Sequence, residues 1–170
     1  MDKAGSKHRG RGNGRTGPNG PNGAGPSLNG DSHFEFIIPS DYPPSRDVQD
    51  AILNDIHRRG YNSHAIFAIK LALEEAMMNA IKHGNRLDPK KKVHIEATVS
   101  TSQAEIVIED EGPGFTRRGI PDPTLPENLE KCSGRGIHLI EAYMNKVEWT
   151  HGGRRVRMIK RNEPDVLPRL

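Results

Sequence analysis

One stretch of this sequence dictates most of what the chain can become. From about Asn62 or Ser63 to His83, Ile66, Ile69, Leu73, Ala76 or Met77, and Ala80 recur at i, i+3 and i+4. That spacing is a single apolar stripe on an α-helix. Gly84 and Asn85 end it. Two alternating runs follow, Val93 to Val99 and Ala104 to Glu109, joined by a polar turn from Ser100 to Gln103. They predict a hairpin with one buried face. A long amphipathic helix beside such a hairpin requires helix layered on sheet.

The remaining segments fit that frame. His33 to Ile38 alternates and then turns apolar, which predicts a strand. Pro39, Pro43 and Pro44 break it, and Ser45 is the expected N-cap of a helix carrying Val48, Ile52 and Ile56. Gly60 sits where a C-cap glycine belongs. Asp110 to Ser133 lacks any period and holds Pro113, Pro121, Pro123 and Pro126. A connection of that length in a compact domain is usually a lid or a binding loop. Ile137, Leu139, Ile140 and Tyr143 to Met144 predict a short helix. Lys146 to Thr150 and Arg155 to Ile159 predict strands around a Gly152-Gly153 turn. The order β-α-α-β-β-loop-α-β-β gives an α+β fold. It is a two-layer α/β sandwich with a mixed, mostly antiparallel sheet and helices on one face.

Composition divides the chain. Its 170 residues, 33% of them hydrophobic, suit one modest domain. Residues 1–30 hold 9 of the 18 glycines and a net charge of +4, which leaves −1 for the rest of a chain whose total is +3. The basic balance therefore belongs to the tail, and a basic domain face for nucleic acid is not supported. The tail cannot bury enough surface to offset its ordering entropy and is expected to be disordered. The expected organisation is this tail, a domain over 31–163, and a C-terminal tail over 164–170. No run of about 18 apolar residues marks a membrane span, and no apolar leader stands at the N-terminus. The one cysteine, Cys132, allows no internal disulfide. A cytoplasmic protein is the expectation.

Three short segments carry chemistry. Glu75 and Asn79 are four apart on the long helix, on one face, with Lys82 continuing that side. An amide oxygen is a suitable hard ligand for Mg²⁺. A carboxylate one turn away can accept a proton from a hydroxyl or water attacking a γ-phosphate. Asp110 follows an apolar strand and precedes Gly112 and Gly114. A half-buried carboxylate can accept from an exocyclic amino group such as adenine N6, and the glycines let backbone approach a flat ligand. Gly134-Arg135-Gly136 opens a helix, whose N-terminus suits phosphate. Singly, these are a charged helix face, a tight turn and a flexible lead-in. Together, in this order, they describe one ATP–Mg²⁺ pocket.

The same residues resemble the GHKL, or Bergerat-fold, ATPase superfamily of histidine kinases, gyrase, the ninety-kilodalton heat-shock chaperone and mismatch-repair proteins. Glu75 to His83 is similar to its N box. Asp110-Glu111-Gly112-Pro113-Gly114-Phe115 is similar to the first glycine box, and Gly134-Arg135-Gly136-Ile137 to the second. The compact size and the stretch Leu71 to Gly84 resemble the RsbW/SpoIIAB-type anti-sigma-factor serine kinases. The resemblance covers about residues 33 to 161. It implies Asn79 as the Mg²⁺ ligand, Glu75 as general base and Asp110 at the adenine amino group. Gly112 and Gly114 would line the adenine edge, and Gly134, Arg135 and Gly136 would close over the phosphates. Phe115 to Ser133 would be the ATP lid. The implied partners are a sigma factor and a STAS-domain anti-anti-sigma protein phosphorylated on serine or threonine, with the kinase as a homodimer. Family members often carry a Gly-Thr pair near the final strand, where this chain reads Gly153-Arg154-Arg155. An arginine pair there is otherwise ordinary strand-edge charge.

Other functions fit less well. A nucleotide-gated binding module without phosphotransfer would use the same pocket. A detached histidine-kinase catalytic domain would lack its dimerisation helix. His57, His64, His83, His94, His138 and His151 form no dense metal-ligand pattern. Cys132 reads as an ordinary loop thiol. No Walker A lysine motif and no His-Arg-Asp kinase signature is present.

Overall fold

A computed structural model describes residues 30–114 and 135–163. The expected lid, Gly134, Cys132 and nearly all of both expected tails lie outside the described residues. The chain runs through β1 (Ser32–Pro39), α1 (Tyr42–Arg58), α2 (Ser63–Met78), a π-helical segment (Asn79–Gly84), β2 (Lys92–Val99), β3 (Gln103–Asp110), α3 (Arg135–Tyr143), β4 (Lys146–Thr150) and β5 (Arg155–Arg161). The strands form one sheet in the order β1-β2-β3-β5-β4. All four pairings are antiparallel.

Strand alternation sorts the sheet into two faces. Val93, Ile95, Ala97 and Val99 of β2, Ala104, Ile106 and Ile108 of β3, and Val156 and Met158 of β5 are buried in one cluster with Ile52, Ile56, Ile69, Leu73 and Ile140 of the helices. The opposite face carries charge. Arg157 donates to both oxygens of Glu105 at 2.7 Å and to Glu148 at 2.8 Å. Arg155 donates to Glu109 at 2.9 Å.

Helix α1 starts earlier than Ser45. Asp41 is the N-cap and accepts the Tyr42 N–H at 2.8 Å. Pro43 and Pro44 lie in the first turn, where N–H groups have no helical acceptor, so they begin the helix rather than block it. Ser45 is buried and its hydroxyl donates to the Tyr42 carbonyl at 2.7 Å. At the far end Arg59 is buried against Asp55, Nε to Oδ2 at 2.8 Å. Its Nη2 donates to the Gly30 carbonyl at 2.8 Å and to Ser32 Oγ at 2.7 Å, which ties the start of β1 to the end of α1. Burial pushes the Asp55 carboxyl up, but the hydrogen bonds from Arg59 and Ser32 and the two arginine charges outweigh it and hold it below the usual range.

Asn62 caps α2 by accepting the Ala65 N–H at 2.7 Å. The single helix expected to run to His83 changes winding at Asn79. From there the hydrogen bonds reach five residues back, as from the Asn85 N–H to the Ala80 carbonyl at 2.8 Å. Apolar spacing does not distinguish the two windings. Widened turns of this kind recur at functional sites.

Candidate functional site

The site grows from the junction of α2 and the π segment. Glu75 and Asn79 are joined by a helical bond from the Asn79 N–H to the Glu75 carbonyl, so both side chains leave one face. Helix α3 packs against this face through Gly136. A Cβ built on Gly136 would fall on Glu75 Oε2 and within 3.6 Å of Asn79 Nδ2. Any larger residue there would have to displace the Glu75 carboxylate. Asn79 Nδ2 is buried and has no hydrogen-bond partner among the described residues. Such an unpaired group costs about 1–3 kcal/mol, relieved when the carboxamide binds a ligand or turns its oxygen to a cation. This carboxamide with its unpartnered nitrogen, the hard oxygen it carries and the adjacent carboxylate fit an Mg²⁺–phosphate group.

Asp110 forms the second pole. It continues the inward alternation of Ala104, Ile106 and Ile108, and β3 therefore delivers it to the helix side of the sheet, 8% exposed. Its Oδ1 accepts the Gly112 N–H at 2.7 Å. Oδ2 has no hydrogen-bond partner among the described residues. Burial pushes the carboxyl above its usual range, against the Gly112 hydrogen bond and the positive Arg154. The cradle is tight: a Cβ on Gly84 would meet both carboxylate oxygens, and one on Gly112 would strike the Gly84 carbonyl. The end of the π segment and the turn after β3 thus touch backbone to backbone around this acid, a cradle suited to the edge of a flat ligand.

The other expected site residues divide. Gly114 has φ +78° and lies against the Gly152 carbonyl, closing the Asp110 turn onto the β4–β5 connection. Arg135 is the exposed first residue of α3. Lys82 is exposed on the π segment and makes no hydrogen bond or ion pair among the described residues, so nothing joins it to either pole. Gly134 lies outside the described residues. The arginine pair divides at the start of β5. Arg155 joins the charged outer face through Glu109. Arg154 ends the turn before the strand, accepts the Asp110 N–H on its carbonyl at 3.1 Å, and places its stem 3.3 Å from the position of a Gly114 Cβ. Sequence reasoning read Gly84 and Asn85 as the helix end and missed the approach of Gly84 to Asp110 and the bond of Asn85 to the Glu111 N–H. Their adjacency to the Asn79 segment was the available signal.

Among the described residues no group of three or more His, Cys, Asp or Glu side chains suits a metal. No helix there is long and apolar enough to cross a membrane.

A family model described as the histidine kinase-like ATPase domain matches residues 41–160. An anti-sigma F factor of Oceanobacillus iheyensis is 39% identical over 83 residues, 47% of this chain and 56% of that protein. The serine-protein kinase RsbW of Bacillus subtilis is 30% identical over 110 residues, 61% of this chain and 69% of that protein. The chain thus spans a little over half the length of the first relative and about two thirds of the second. A crystal structure of the RsbU and RsbW domains of a Mycobacterium tuberculosis protein superposes with TM-score 0.51 at 16% identity. It covers 78% of this chain and 32% of that one, which supports the two-layer fold.

Proposed function

The chain belongs to the histidine kinase-like ATPase domain family, and on that premise we propose that it is a cytoplasmic, ATP–Mg²⁺-dependent protein serine/threonine kinase acting as an anti-sigma regulatory factor. Its domain spans 31–163. Its partners are a sigma factor, which it sequesters, and a STAS-domain anti-anti-sigma protein, which it phosphorylates. The matches to an anti-sigma F factor and to RsbW support this reading.

The observation that carries it is the contact of Gly136 with Glu75 beside the orphaned Asn79 carboxamide. Phosphoryl transfer asks little covalent chemistry of a protein and much positioning. Asn79 would hold Mg²⁺ through its amide oxygen, and the metal supplies charge neutralisation at the phosphates. Asp110 Oδ2 would accept from the adenine amino group. Glu75 carries no hydrogen bond or ion pair among the described residues. It would accept the proton of the attacking serine or threonine hydroxyl.

The test is transfer from γ-labelled ATP in Mg²⁺ to STAS-domain proteins of the same genome, with Glu75→Ala and Asn79→Ala alongside. Label on one STAS protein, lost in both variants, is the expected result. Nucleotide binding without transfer to any of them would replace this reading with a nucleotide-gated binding module.

A further inference from the structure

Asn85 is fully buried, and its side chain is the hub of a closed set of hydrogen bonds. Its Nδ2 donates to Ser40 Oγ at 2.7 Å and to the Lys92 carbonyl at 2.8 Å. Its Oδ1 accepts the Glu111 N–H at 2.8 Å. The ring closes through Glu111, whose Oε2 accepts the Lys92 N–H at 2.7 Å. The carboxamide therefore joins the end of β1, the start of β2 and the residue directly after Asp110. Glu111 turns one carboxylate oxygen to the β2 backbone.

The surrounding backbone shows that this arrangement is imposed. Directly after Asn85, Arg86 and Leu87 both take φ 57°. Non-glycine residues rarely occupy that region, and keep it where their surroundings over-determine it. The Leu87 N–H is spent on the Ile81 carbonyl at 2.9 Å and the Asp88 N–H on the Asn85 carbonyl at 3.2 Å. The turn is thus locked from the π segment outward.

We infer that Asn85 and Glu111 are positioning residues that fix the Asp110 carboxylate for recognition of an exocyclic amino group on the nucleotide base. The chain of cause is short. Asn85 fixes the Glu111 N–H, Glu111 fixes the start of β2, and the peptide units on either side of Glu111 set the orientation of Asp110 and of the Gly112 N–H it accepts. With Oδ1 committed to Gly112, Oδ2 is presented in one direction. A loosened clamp lets the carboxylate swing, and the penalty falls on ligands that need that oxygen. The inference rests on the assignment of Asp110 to the base, made above.

The experiment titrates the full chain calorimetrically with ATP and with purine riboside triphosphate, which lacks the 6-amino group. Wild type, Asn85→Ala and Glu111→Ala are compared in Mg²⁺. Wild type should prefer ATP by roughly tenfold or more, the scale of one hydrogen bond to a charged acceptor. Both variants should bind the amino-free nucleotide within about twofold of wild type while the ATP preference falls to about threefold or less. A preference unchanged in the variants overturns the inference, as does an equal loss for both nucleotides, which marks a merely structural role. A wild type without preference removes the base assignment of Asp110 and the inference with it. Glu111 is exposed, so if Asn85→Ala does not fold, Glu111→Ala decides alone.

Discussion

Gly136 and the Glu75 carboxylate occupy neighbouring space so closely that a single added carbon on the glycine would overlap Oε2. The start of α3 is therefore part of the seat of the expected base. Gly136→Ala must push Glu75 aside or lift α3. Misplacing a reacting group by about 1 Å costs on the order of 10²-fold in rate. A transfer assay should show that loss, while circular dichroism shows an intact fold.

Glu75→Ala separates chemistry from binding. General-base contributions are typically 10²–10⁴-fold, so transfer should fall by about that factor with nucleotide affinity within a few-fold of wild type. Retained transfer would remove Glu75 from the role.

Asp110 predicts an exchange of function for stability. Burial raises its carboxyl above the usual 3.8. An acid raised on folding lowers stability above its folded value, and that loss disappears as pH falls through the folded value toward 3.8. Asp110→Asn removes the buried charge. Its melting temperature should exceed that of wild type at pH 7 without nucleotide, the gap should close below pH 3.8, and ATP affinity should drop. A variant less stable than wild type at pH 7 would contradict the burial argument.

The Asp55–Arg59 pair makes the opposite case. Both side chains are 2% exposed. Removing one partner of a buried pair leaves an uncompensated charge and costs about 3–5 kcal/mol. Arg59→Ala should lose stability on that scale in urea unfolding, and β1 should loosen first because Arg59 also holds Gly30 and Ser32. The Asp55 carboxyl lies below its usual 3.8. Its contribution is thus full above pH 3.8 and is lost as pH falls through the folded value.

Much of this is legible in the sequence. The period of two in β2 and β3 gives not only the strands but the inward face of Asp110, since 104, 106, 108 and 110 share parity. The stripe on α2 gives the central helix. Three features were not legible. Pro43 and Pro44 signal a helix's first turn as well as a break, and only the Asp41 cap decides between them. The change of winding at Asn79 leaves the apolar spacing intact, and the approach of Gly84 to Gly112 exists only in the folded chain. Asn85 reads as a terminator because its three side-chain partners, Ser40, Lys92 and Glu111, are brought together only by the sheet.

The segments around Asn79, Asp110 and Gly136 are proposed to form one ATP site. Calorimetric titration of the full chain with ATP, with and without Mg²⁺, tests it most directly. One saturable site is expected. Asp110→Ala should weaken it at least about tenfold with or without the metal, and Asn79→Ala should weaken it chiefly when Mg²⁺ is present. ATP binding that both variants leave unchanged would place the nucleotide elsewhere.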